Sequence, residues 1–303
     1  MMMAMNAVDT AAINSPPAEI RLWPGEAPLS VTNPPPELVE ISTEQPPNRH
    51  IHNVVVPTLI IFAPPRERNT GIAVVICPGG GYAYLSWNKE GTDVARWLQA
   101  RGVTGAVLKY RLPAPGRVPS GQLVSLLDAQ RAIRLLRERA GEFGIKTNRV
   151  GILGFSAGGH LAACAATKFA EPVPNPVEDI RRVSCRPDFC ALAYPVISML
   201  TSVHLESRTN LLGRDPSEQL LAQFSCERLV THDTPPSFLV QARDDGTVPV
   251  TNSVLFAEAC QRAAVPVELH LYDKGGHGFG LGVHGGDVTN WPALFETFLK
   301  KLP

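Results

Sequence analysis

Apolar positions along the chain fall into two alternating rhythms. Short, β-branched runs recur at NVVVPTLIIFAP (53–64), GIAVVIC (71–77), TGAVLKY (104–110), RVGILGF (149–155), FCALAYP (189–195), SFLVQAR (237–243) and VELHLYD (267–273). Most show no apolar/polar alternation, which predicts strands apolar on both faces in a parallel sheet covered by helices on each side. Between them run longer segments of helical period: TDVARWLQARG (92–102), SLLDAQRAIRLLRERAGEFG (125–144), AGGHLAACAATKFA (157–170), SVLFAEACQRAA (253–264) and WPALFETFLKKL (291–302). In the second, Leu126, Ala129, Ala132, Ile133 and Leu136 share one stripe, as a helix packed on a sheet requires. The alternation predicts an α/β protein with a doubly wound, mostly parallel sheet and helices on both faces.

Two regions break the rhythm. Residues 1–50 are rich in Pro, Ser and Thr (SPPAE, NPPPE, EQPPN), a composition that resists regular structure and predicts an N-terminal arm over an α/β domain spanning 51–303. Residues 196–235 interrupt the strands with turn signals at LLGRDP and HDTPP and a short helix expected at SEQLLAQF. Such an insertion is placed to form a partial lid beside a site. Its two leucine-containing patches, MLTSVHL and EQLLAQF, suit a shallow pocket rather than a long apolar tunnel.

Composition narrows the function classes. With 303 residues, 44% hydrophobic and 18% charged, the chain can bury a sizeable core. The 28 basic and 28 acidic residues cancel, so no overall field draws it to nucleic acid or to an anionic membrane. Six cysteines (77, 164, 185, 190, 226, 260) show neither a CxxC pair nor a zinc-like spacing, so buried thiols and no metal are expected. Whether Cys185 and Cys190 pair is not decided by spacing. The opening residues lack a basic n-region and an apolar h-region, and no later window approaches a membrane span. The chain as it stands reads as cytoplasmic, or as secreted or periplasmic if a leader has been removed.

The candidate chemistry centres on GILGFSAGGHLAACAAT (151–167). Gly154, Ser156 and Gly158 form G-x-S-x-G between a predicted strand and a predicted helix, the nucleophile-elbow pattern that holds a serine hydroxyl above a sheet. A hydroxyl needs a base and an orienting acid, in chain order Ser, Asp, His for this arrangement. His277, in KGGHGFG, follows the last strand at the carboxyl edge where ligands gather. His270 lies inside that strand, and His284 lies deeper in a glycine-rich loop. For the acid, QARDDGTVP offers Asp244 or Asp245, and either could instead shape the turn before Gly246. The loop CPGGGY (77–82) leaves backbone free to aim the N–H groups of Gly80 and Gly81 at an oxyanion, opposite that of Ala157. It lacks the GK[ST] ending or GxGxxG spacing of a nucleotide loop. Tyr82 and Trp87 follow it as candidate lining of a substrate pocket. His160 is expected to pack or hydrogen-bond rather than react, and Arg111 to brace a carboxylate.

Taken together, CPGGGY, VLKYRLP, GFSAGGHLA, NLLG, QARDDGTVPV and KGGHGFGLG resemble the α/β-hydrolase esterases that include acetylxylan esterases and bifunctional feruloyl and acetyl esterases. The likeness runs from about residue 53 to the end, and LWPGEAP (22–28) is similar to their entry segment. In that family the acid is the aspartate of D-x-x-V-P, which here implies Asp245. Related esterases write the oxyanion loop as HGGG; here Cys77 and Pro78 precede the glycines, so a histidine that could brace the loop is missing. The resemblance implies a serine esterase acting on short acyl esters of carbohydrates, with no cofactor, and with a small ester or acylated sugar as its partner. A generic carboxylesterase, and a non-catalytic binding protein on the same scaffold, are the alternatives.

Overall fold

The structure, a computed structural model, describes residues 17–114, 120–171, 183–282 and 285–302. Two short strands lie in the segment expected to resist regular structure and a third crosses its end: β1 (Ala18–Arg21), β2 (Leu38–Ile41) and β3 (Arg49–His52). They are followed by β4 (Thr58–Phe62), β5 (Ala73–Cys77), a two-residue β6 (Leu85–Ser86), β7 (Thr104–Lys109) and β8 (Val150–Phe155). The last are β9 (Cys190–Ala193), β10 (Ser237–Ala242) and β11 (Val267–Tyr272). The helices are α1 (Asp93–Gln99), α2 (Val124–Glu138), α3 (Ala140–Phe143), α4 (Ser156–Thr167), α5 (Leu205–Leu212), α6 (Glu218–Gln223), α7 (Thr251–Arg262) and α8 (Trp291–Lys301).

Among the described residues the main sheet has eight strands in the order β1-β4-β7-β5-β8-β9-β10-β11. From β7 to β11 every pairing is parallel, while β4 and β1 add antiparallel at one edge. Strands β5, β8, β9 and β10 are buried along their whole length, as runs without polar alternation demand. The stripe on α2 is buried as expected, with Ala129, Ala132, Ile133 and Leu136 fully so.

The N-terminal segment is more than an arm. β1 pairs with β4, and β2-β3-β6 form a second, three-stranded sheet. Leu22 and Trp23 are buried, and the Trp23 indole N–H donates to Asp128 at 2.8 Å. Asp128 also takes the Nε and Nη2 of Arg111 at 2.9 and 2.8 Å, the carboxylate brace expected for that arginine. The prolines punctuate this segment, but β1 pairs with β4 and β3 with β6, both well outside any local window, while β2 pairs with β3.

All six cysteines are buried free thiols, Cys185 and Cys190 included. No helix of the described residues is long and apolar enough to cross a membrane.

Candidate active site

The elbow forms as its glycines dictate. β8 ends at Phe155 and α4 begins at Ser156, whose φ of +52° lies in the left-handed region that side chains other than glycine enter at a cost of about 1–3 kcal/mol. The helix can leave the strand this sharply because its neighbours lack Cβ atoms. One on Gly154 would lie 2.0 Å from the Gly158 carbonyl oxygen, and one on Gly158 would lie 2.1 Å from that of Cys77.

Above the carboxyl ends of the strands, three loops bring Ser156, Asp245 and His277 together. The Nε2 of His277 is 2.9 Å from the Ser156 hydroxyl, and its Nδ1 is 2.8 Å from Asp245 Oδ2. The Asp245 side chain is fully buried. Its Oδ1 accepts the backbone N–H groups of Thr247 and Val248 at 2.9 Å each, and Gln241 donates to Oδ2 at 3.2 Å. With donors filling the other positions, the carboxylate is left to accept from a protonated Nδ1, so Nε2 faces serine as the acceptor. Asp244 sits outside this arrangement. It accepts the Gly276 N–H at 2.9 Å, which holds its carboxyl below the ordinary range and anchors the loop that carries His277. His270 stays within β11 against Phe238, and His284 lies outside the described residues.

The loop after β5 passes against Ser156: a Cβ on Gly79 would lie 2.9 Å from that of Ser156. Gly80 and Gly81, with φ of +121° and +62°, line the same cleft as Ser156. Ala157 is the second residue of α4, so its N–H is among those a helix start leaves without an intrahelical acceptor. In place of the missing histidine, several groups brace the loop. The Gly79 N–H donates to Glu90 Oε2 at 2.8 Å, the Tyr110 hydroxyl to the Pro78 carbonyl at 2.6 Å, and Asn210 of α5 to the Gly81 carbonyl at 2.9 Å.

Tyr82 and Trp87 do not line the cleft, which corrects the sequence expectation. Each is 3% exposed, and the Tyr82 hydroxyl pairs with His160 Nδ1 at 2.8 Å. Positive φ at three successive residues, Gly80, Gly81 and Tyr82, turns the chain inward, and Tyr84 takes the position at the cleft. His160 packs and hydrogen-bonds as expected, its Nε2 reaching the Phe224 carbonyl at 2.8 Å and so tying α4 to the insertion. With Cys164 and Cys226 it forms a buried group of metal-ligand types, yet both ring nitrogens already have partners in place.

The cleft over Ser156 has a volume of about 270 Å³ and a polar lining. Glu44 and His50 come from the N-terminal segment, Tyr84, Lys89 and Glu90 from the region before α1, and His204 and Glu206 from the insertion. His50 stacks on Tyr84 with ring centroids 4.3 Å apart, and Lys89 pairs with Glu44 at 2.6 Å. Burial pushes the pKa of both His50 and His204 down. Sequence reading missed these residues because none belongs to a motif and they come from three distant segments.

The profile of the BD-FAE family matches residues 59–260, a span that includes the elbow and Asp245. The chain belongs to this family. The BD-FAE chain is also similar to a solved structure, the acetyl ester-xyloside bifunctional hydrolase from Caldicellulosiruptor lactoaceticus. Identity is 35% over 93% of this chain and 95% of that one, with a TM-score of 0.79. That likeness establishes the α/β-hydrolase fold expected from the sequence. It is 38% identical over 258 residues to an acetylxylan esterase of Xylanibacter ruminicola, covering 81% of this chain and 48% of the relative. An endo-1,4-beta-xylanase B of Butyrivibrio fibrisolvens is 36% identical over 205 residues, 68% of this chain and 32% of that protein. The chain thus spans about half or less of these two curated relatives.

Proposed function

We propose that the protein is a serine esterase that removes short acyl groups, above all acetyl, from carbohydrate hydroxyls such as those of acetylated xylan. The observation that carries the reading is the continuous line of contacts from Asp245 through His277 to Ser156, 2.8 and 2.9 Å long, at a polar cleft.

In the proposed reaction His277 Nε2 takes the Ser156 proton as the oxygen attacks the ester carbonyl. Asp245 holds the ring and stabilises the imidazolium that results. The N–H groups of Gly80, Gly81 and Ala157 receive the developing oxyanion, a contribution worth about 100-fold to 1,000-fold in turnover per donor. His277 then passes the proton to the leaving alkoxide, and water repeats the sequence on the acyl-enzyme. Every proton moves between groups of this chain and the reactants, so the scheme needs no metal or cofactor. The paired Lys89 and Glu44, the His50–Tyr84 stack and Glu206 suit an alcohol portion dense in hydroxyls better than an apolar one. The names of the two xylan-related relatives and of the solved hydrolase point the same way.

The test is release of acetate from acetylated xylo-oligosaccharides and of p-nitrophenol from p-nitrophenyl acetate, by the wild type and by Ser156→Ala. Turnover of both substrates is expected, with a loss of about a millionfold in the variant. Cleavage of the p-nitrophenyl ester alone would make the protein a general short-chain carboxylesterase. Retained turnover in the variant would remove Ser156 from the mechanism.

A further inference from the structure

Glu90 belongs to no motif, yet it sits between both halves of the proposed machinery. It lies in the turn Asn88–Thr92 before α1 and is 4% exposed. One carboxyl oxygen, Oε2, accepts the Gly79 N–H at 2.8 Å; the other, Oε1, accepts the Tyr194 hydroxyl at 2.9 Å. The Tyr194 oxygen in turn accepts the N–H of Gly280, three residues beyond His277, at 3.1 Å. The Tyr194 ring packs edge-on against His277 and Phe279, with centroids 4.9 and 4.5 Å apart.

We infer that Glu90 is a positioning residue that, through Tyr194, locks the oxyanion loop and the His277 loop into one arrangement. This deepens the esterase reading and rests on it. Three consecutive glycines have the largest backbone freedom a chain can have, and oxyanion donors help only if they are already aimed when charge develops. Fixing the Gly79 N–H fixes the first peptide of that run. Because the anchor is buried, the bond is stronger than it would be in water. Both oxygens face donors, so a carboxyl group fits where an amide would turn an NH₂ towards one of them. A carboxyl group beside an oxyanion site has no favourable direct effect on the developing charge. Its benefit must therefore come through position, and that makes the sign of its removal informative.

The test uses Glu90→Gln and Tyr194→Phe in the full chain. It measures kcat and KM for p-nitrophenyl acetate, Tm, and the inhibition constant of phenylboronic acid, whose tetrahedral adduct on serine places an oxygen in the oxyanion site. Glu90→Gln is expected to lower kcat by about 10-fold to 100-fold with KM changed less than about threefold, and to weaken boronate binding by a similar factor. Tyr194→Phe keeps the Gly79 contact and should show a smaller loss in the same sense. If Glu90→Gln fails to fold, Tyr194→Phe decides alone. Unchanged or raised kcat, or a loss of kcat with boronate binding untouched, would overturn the inference. A wild type that cleaves no p-nitrophenyl ester would show instead that the esterase reading itself has failed, and the inference with it.

Discussion

Asp244 and Asp245 are neighbours with the same side chain and different surroundings. Asp245 is enclosed and aimed at His277, whereas Asp244 holds the backbone of the loop that carries it. Asp245→Asn places an amide where only acceptors fit and should lower kcat about ten-thousandfold, the scale of losing the acid of such a triad. Asp244→Asn retains an oxygen for Gly276 and should cost less than about tenfold. Steady-state kinetics on the two variants checks the ranking, and a reversal would move the acid by one residue. His204 makes a prediction about pH. Its Nδ1 lies 2.8 Å from the Ser207 hydroxyl and accepts at the start of α5, and burial lowers its pKa from the ordinary 6.5. The unfolded chain therefore binds the proton more readily than the native state does. The stability from this neutral ring is complete above pH 6.5 and is lost as pH falls from there towards the lower folded value. Tm measured from pH 7.5 down to 5.5 should decline, and His204→Gln should flatten the decline.

Elements were legible to the extent that their signal was local. The seven strands expected from periodicity occur and so do four of the five helices, displaced by a few residues at their ends, while the helix expected over 125–144 is broken at Arg139 into α2 and α3; a buried strand needs an unbroken apolar run and a sheet-packed helix needs a stripe. β1, β2, β3 and β6 were not legible, since two to four residues carry no period; β1 and β6 are held by partners distant in sequence, and β2 by β3, which itself rests on β6. α5 was missed for a related reason: only Ser207, Leu211 and Leu212 are buried along it, too few to mark a face. Two variants test how these elements are tied down. Gly158→Ala forces a Cβ into the Cys77 carbonyl, where only backbone could yield; expression without soluble, active protein, or a loss above about 4 kcal/mol in urea unfolding, is expected. Trp23→Ala should cost about 3–5 kcal/mol in the same assay, because it opens a cavity and removes a donor from buried Asp128. A loss near zero would mean that the N-terminal segment only drapes over the core.

At the scale of the whole molecule, the cleft argues for short acyl groups. A buried methylene contributes about 0.8 kcal/mol where an apolar wall receives it, and this cleft presents charged and hydrogen-bonding side chains instead. We expect kcat/KM for p-nitrophenyl esters to peak between about two and four acyl carbons and to fall sharply by about eight. A maximum at eight or beyond would point to a lipase-like role. The sequence by itself determined the strands β4, β5 and β7 to β11, the elbow, and the candidates Ser156 and His277, with Asp244 and Asp245 as alternatives for the acid. Those features rest on local period, on glycines at sites of steric contact, and on a motif whose spacing is short. Only the tertiary structure decided what surrounds Ser156. It placed Tyr84 rather than Tyr82 at the cleft, brought Glu44 and His50 in from a segment read as an arm, and put Glu90 beneath the glycine loop. Those outcomes depend on the direction the chain takes through a left-handed turn and on contacts between segments up to 104 residues apart, as Glu90 and Tyr194 are, which no local window of sequence contains.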